Sequence, residues 1–147
     1  MPEVTASASI VVNRPRDRVW KALTDPALVR QYFMGASVQT DWQVGHPITF
    51  SGTWKDTTFE DKGEILEFDP EETLAYSHWS PLSGAEDVPD NYHVVRVRLE
   101  DAEGGTRVTL EQSNLNGKVT DADRAGRDDY EKNWTSTLEG LKKVAET

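Results

Sequence analysis

Cysteine is absent from this chain of 147 residues, which removes a disulfide framework and a thiolate zinc site from consideration. Long apolar runs are missing too: none reaches the ~18 residues that a membrane-spanning helix requires. Basic charge is scarce, with 16 Lys and Arg against 26 Asp and Glu, for a formal net charge of -10. Such a surface repels phosphate backbones and no basic stripe interrupts it, so nucleic acid is not the expected partner. The opening Met1-Pro2-Glu3-Val4-Thr5 lacks the basic-then-apolar order of a secretory signal. The expectation is a cytoplasmic protein with no membrane insertion and a single domain over residues 1–147. Nucleotide-binding and esterase signatures are also missing. Gly104-Gly105 turns a hairpin and precedes no helix, so it cradles no phosphate, and no cofactor is expected.

Aromatic residues are the useful excess: five Trp, four Tyr and four Phe. Tyr130, Trp134, Leu138, Leu141 and Ala145 recur at helical spacing, predicting one long amphipathic helix that starts near Asp128. Between about Ile48 and Gln112 the period is two, as in Val95-Arg96-Val97-Arg98-Leu99. Ser7 to Asn13 reads as a first strand. Asn13 is the expected cap of a helix carrying Val19, Trp20 and Leu23, and Asp25-Pro26 starts a second short helix ending near Tyr32. Strands follow at about 37–40, 48–54, 59–68, 73–80, 93–99 and 106–113. The class is α+β and the order β-α-α-β6-α. A curved antiparallel sheet wraps around the long C-terminal helix, an arrangement that often leaves a cavity between the two.

Pairing the strands through their turns places Val97 opposite Val108, Val95 opposite Leu110 and His93 opposite Gln112. Val95 then faces Tyr76, His93 faces His78, and Tyr76 meets Ile65; further on, Trp54 meets Phe59 and Phe50 meets Gly63. One concave face therefore holds Phe50, Trp54, Phe59, Ile65, Leu74, Tyr76, Val95, Val97, Val108 and Leu110, covered by Trp134 and Leu138. His78, His93 and Gln112 collect toward one end of it.

Several segments resemble a known family: Thr40-Asp41-Trp42-Gln43-Val44-Gly45-His46-Pro47-Ile48, Tyr76-Ser77-His78-Trp79-Ser80-Pro81-Leu82-Ser83-Gly84 and Asn91-Tyr92-His93. Val19-Trp20-Lys21-Ala22-Leu23-Thr24-Asp25-Pro26 and Asn133-Trp134 belong with them. They resemble the activators of heat-shock-protein-90 ATPase, within the START-like (SRPBCC, Bet v-like) superfamily, over nearly the whole chain. The resemblance implies a helix-grip fold with an internal cavity for small apolar molecules. The family name implies co-chaperone work, but the eukaryotic activators are larger and carry a further domain. The superfamily also spans lipid carriers, hormone receptors and polyketide cyclases, and fold does not transmit function.

For chemistry, His78 and His93 across adjacent strands, with Gln112 and Tyr76, could share a proton or hold a ligand carbonyl or phenol; alternatively both are structural. The remaining histidine, His46, does not join them, and no metal site is expected. Asp61 has inward parity, where a carboxylate needs a partner; it is a general base, or solvated at the strand's open end, or the strand's register differs from the one assigned. Glu86, Asp87 and Asp90 form part of a cavity mouth or a plain acidic loop. Trp42 anchors a turn, and Trp79 packs on the outer side or against the two short helices. The preferred reading is a non-enzymatic domain sheltering a small apolar or aromatic molecule. Its ligand site comprises Phe50, Trp54, Phe59, Ile65, Tyr76, His78, His93, Val95, Val97, Leu110, Gln112, Trp134 and Leu138. The alternatives are a cyclase- or hydrolase-type enzyme in the same cavity, and a partner of a chaperone ATPase.

Overall fold

A computed structural model of the chain describes residues 4–33, 35–54, 56–81, 86–117 and 119–147. Strand β1 (Val4–Val12) leads into helices α1 (Arg16–Thr24) and α2 (Pro26–Tyr32). Six strands follow: β2 (Ser37–Gln39), β3 (Pro47–Trp54), β4 (Thr57–Asp69), β5 (Thr73–His78), β6 (His93–Ala102) and β7 (Gly105–Asn114). Helix α3 (Asp121–Glu146) comes last. The strands form one antiparallel sheet in the order β1-β7-β6-β5-β4-β3-β2, curved around α3 as the sequence pattern predicts. Among the described residues no helix is long and apolar enough to cross a membrane.

Local chemistry explains the helix starts. The Asp25 carboxylate accepts from the Ala27 N–H at 2.9 Å and Pro26 opens α2, as expected. Asn13 does not cap α1. Pro15 holds that position through its carbonyl, which accepts from Arg18 and Val19, and the Asn13 N–H donates to Glu146 instead. Helix α3 begins about two turns before the expected Asp128. Thr120 and Asp123 form a reciprocal capping box there: Thr120 Oγ1 accepts from the Asp123 N–H, and Asp123 accepts from the Thr120 N–H. That first stretch carries no apolar stripe, so periodicity could not reveal it.

The β5 neighbours fall where the turns predict: Tyr76 pairs with Val95 and Ile65, and His78 with His93. Two hairpins differ from the expected register by two residues. Val97 pairs with Leu110, Val95 with Gln112 and His93 with Asn114, because Glu103-Gly104 alone closes the turn with Gly104 at φ +79°. Likewise Phe50 pairs with Asp61, Ile48 with Gly63 and Gly52 with Phe59, across a turn where Asp56 takes φ +64°. A slip of two keeps every side chain on its face, so the expected concave residues other than Trp54, whose side chain lies outside the described residues, are buried.

Leu138, Leu141 and Ala145 of α3 are buried against Ile48, Ile65, Leu74, Val97 and Val108. A register irregularity between Ile65 and Glu67 reverses the alternation of β4. Phe68 thereby turns inward against Trp20 and Trp42, while Glu67 accepts from the Arg96 guanidinium at 2.7 Å. Along the free side of β1, α3 supplies the missing partners. Glu131 accepts from the Ser7 N–H, Glu146 accepts from the Asn13 N–H, and Lys142 donates to the Val11 carbonyl.

Candidate functional site

The space between sheet and helix is lined by aromatic side chains from four elements. Phe33, at the end of α2, stacks on Phe50 of β3 with ring centres 5.3 Å apart and tilts against Trp134 of α3 at 6.2 Å. Phe50 in turn meets Tyr76 of β5 at 5.4 Å. Phe33, Phe50 and Tyr76 line an apolar cavity of about 40 Å³, whose lining also includes Tyr32, Trp42, Val97, Leu110, Leu138 and Leu141. A single water needs roughly 10–15 Å³, while engineered cavities that take benzene are near 150 Å³. The hollow suggested by the sequence is therefore mostly filled by the protein's own rings in this conformation. The filling comes from Phe33, Tyr32 and Trp42, whose segments the strand pattern did not assign to the interior.

At one end of this aromatic wall sits a pair that the sequence reading did not join. Asp61, cross-strand partner of Phe50, accepts from His78 Nε2 at 2.9 Å. A carboxylate can only accept, so Nε2 carries the proton. The Asp61 side chain is 13% exposed, and its second oxygen, Oδ1, is buried without a hydrogen-bond partner among the described residues. Asp61 is thus neither solvated at an open end nor idle. The His78 ring meets Phe50 edge-on at 6.0 Å. Burial, aided by the charge of Asp61, holds the Tyr76 phenol well above its ordinary pKa.

His93 belongs to a different cluster. Its Nε2 donates to Asp123 Oδ1 at 3.1 Å, its ring packs edge-on against Tyr130 at 5.9 Å, and Asn114 donates to Asp123 Oδ2 at 2.6 Å. Burial alone would raise the Asp123 pKa, but donors from Thr120, Asn114 and His93 outweigh it and hold the carboxyl at about 2. Gln112 joins neither histidine; its Oε1 accepts from Trp134 Nε1 at 2.7 Å, and its Nε2 is buried without a partner among the described residues. The single polar end expected from the sequence therefore resolves into separate clusters. The two-residue slip at β6–β7 is the cause, since it brings Asn114 rather than Gln112 opposite His93.

Of the expected site residues, Phe50, Tyr76, Val97, Leu110 and Leu138 line the cavity. Trp134, His78 and Gln112 flank it through the contacts above. Ile65 and Val95 are core, 0% and 1% exposed, and Phe59 is buried where its ring would touch any side chain placed at Gly52. The Trp54 side chain lies outside the described residues. His46 pairs with Asp41 at 2.6 Å, away from the other histidines, and among the described residues no three potential metal ligands converge. Trp79 packs outside on Tyr92, beneath Lys62, the first of its two expected placements. Asp87 accepts from the Tyr92 hydroxyl and pairs with Lys62, so this part of the acidic loop is tied to the outer face of the sheet. Phe33 and Asp123 were missed. The Thr120-x-x-Asp123 spacing carried a signal for the second, whereas nothing in the pattern marked the first.

Replacing Trp134 with phenylalanine strips Gln112 of its remaining bond in a buried site. We expect Trp134→Phe to cost about 1–3 kcal/mol in denaturant unfolding. Adding Gln112→Leu should recover much of that loss, because removing both partners leaves no orphan.

The description "Activator of Hsp90 ATPase homolog 1-like protein" matches residues 13–146. The chain belongs to this family. Among solved structures, ChR145 from Cytophaga hutchinsonii is 40% identical, with 99% of this chain and 96% of that chain covered and a TM-score of 0.79. MLL2253 from Mesorhizobium loti is 23% identical at TM-score 0.72, over 95% of this chain and 96% of that one. The Aha1 dimer from Colwellia psychrerythraea is 17% identical at TM-score 0.69, over 96% and 95%; these last two show the shared fold alone. No curated protein matches the chain.

Proposed function

We propose that this family member is a cytoplasmic binding domain for a small aromatic molecule, held between the sheet and α3 without catalysis. The observation that carries this reading is the apolar 40 Å³ cavity walled by Phe33, Phe50 and Tyr76. Its volume is too small for an aromatic guest as it stands, so binding requires a ring to move. Phe33 is the candidate. It is half-buried, stands at the end of α2 rather than inside a strand, and occupies the place a flat guest would take between Phe50 and Trp134. Burial of one aromatic ring system, at about 25 cal/mol per Å², gives a driving force of several kcal/mol before ordering costs.

The test is titration of tryptophan fluorescence with naphthalene and 2-naphthol. Phe33→Ala is expected to lose about 2–4 kcal/mol of stability and to bind one of these probes at least tenfold more tightly than the parent. Failure of both proteins to bind either probe overturns the reading.

The bonded Asp61 and His78 favour a second reading, an acid–base enzyme of the cyclase or hydrolase type in the same space. It requires a pH–rate profile that loses a limb in His78→Asn.

A further inference from the structure

We infer that the molecule taken into this pocket is a hydroxylated aromatic whose O–H donates to Asp61 Oδ1, and that aromatic carboxylates are excluded. The inference rests on the pocket reading above and adds the chemistry of the ligand's polar end.

Asp61 and Phe50 are directly opposed on the concave face, which sets their Cβ atoms roughly 5 Å apart. Phe50 lines the cavity; Asp61 is not itself in the lining but stands beside Phe50, bonded to His78, whose ring meets Phe50 edge-on. One oxygen of that carboxylate is engaged by His78 Nε2, and the other is buried and has no partner among the described residues. An orphaned buried acceptor costs about 1–3 kcal/mol, more for a charged group, and a native fold retains one where something else completes it. Only a donor can complete a carboxylate.

Among the described residues no cation pairs with that oxygen. Lys62 is the next residue in the chain but faces the opposite side, where it pairs with Asp87 over the Trp79 ring. The His78 proton is already spent on Oδ2. The cavity lining itself offers no cation: apart from the tyrosine hydroxyls, the Trp42 indole N–H and Thr137 it is hydrocarbon. A ligand carboxylate would meet Asp61 in a low-dielectric enclosure with no counter-charge, an arrangement that costs several kcal/mol. A phenol-type hydroxyl on a flat ring suits both parts, with the ring against Phe50 and Tyr76 and the O–H on Oδ1.

The experiment compares three probes with one ring system: naphthalene, 2-naphthol and 2-naphthoate, each titrated against the parent protein and Phe33→Ala. We expect 2-naphthol to bind at least about tenfold more tightly than naphthalene, and 2-naphthoate not to bind. Asp61→Leu, checked for folding by thermal denaturation, should bring naphthol and naphthalene to parity. Should that variant fail to fold, Asp61→Asn serves instead: it keeps the shape, removes the charge, and should shrink the naphthol preference while admitting 2-naphthoate. Equal binding of naphthalene and 2-naphthol by the parent would overturn the inference and leave the pocket standing. A preference that survives both Asp61 variants would also overturn it. Silence from all three probes in both proteins would remove the pocket, and this inference with it.

Discussion

Gly63→Ala will unfold this protein at a far lower denaturant concentration than the parent, with a loss of at least ~3 kcal/mol. Gly63 sits in β4 where a Cβ would run into the backbone carbonyl of Ser77 on β5, leaving no flexible side chain to yield. Overpacking a core with an extra methyl costs about 1–3 kcal/mol when neighbours can repack. Here the neighbour is main chain in a hydrogen-bonded ladder, so the strands themselves must part. Parting them breaks the reciprocal bonds between Lys62 and Trp79, at 3.0 and 2.9 Å, and pulls Asp61 from His78. Urea unfolding monitored by fluorescence checks this; a variant within 1 kcal/mol of the parent would refute the close approach.

The second large effect concerns Asp123, which is 4% exposed and accepts from His93, Asn114 and the Thr120 N–H at once. Asp123→Asn keeps the shape but turns one acceptor into a donor facing donors, and should cost about 3 kcal/mol. The pH dependence has a definite sign. The folded carboxyl titrates at about 2, below the ordinary ~3.9 of an unfolded chain. Its contribution is therefore fully present above about pH 4 and is lost as pH falls from there through 2. A depression of this size corresponds to about 2–3 kcal/mol, so the stability gap between parent and Asp123→Asn should narrow over that window. A gap that stays constant from pH 5 to pH 2.5 would mean that the carboxylate contributes nothing beyond its shape.

Alternation and turn chemistry made most of the fold legible. Period two in Val95-Arg96-Val97-Arg98-Leu99 identified β6, and the helical spacing from Tyr130 to Ala145 identified the buried half of α3. The hairpin registers missed by two because the site of a left-handed residue decides where a tight turn closes. Gly104 and Asp56 take that role, and nothing in alternation selects them over their neighbours. The site was less legible for a related reason. His78 and His93 were correctly opposed, but their bonding partners, Asp61 and Asp123, come from β4 and from the polar start of α3. Such contacts depend on sheet twist and helix placement rather than on the local pattern. Phe33 closes the cavity from a short segment between α2 and β2, where periodicity carries no information.

The side chains that α3 lends to β1 also govern how this sheet meets other chains. An unpaired border of a β-sheet is a template for a second molecule. Here Glu131, Lys142 and Glu146 already occupy the Ser7, Val11 and Asn13 backbone groups, and the opposite border is the three-residue β2. A neighbouring copy cannot add itself to β1 without first evicting three charged groups anchored on a 26-residue helix. Growth by strand addition is barred at that margin, and charge reversal along α3 would open it.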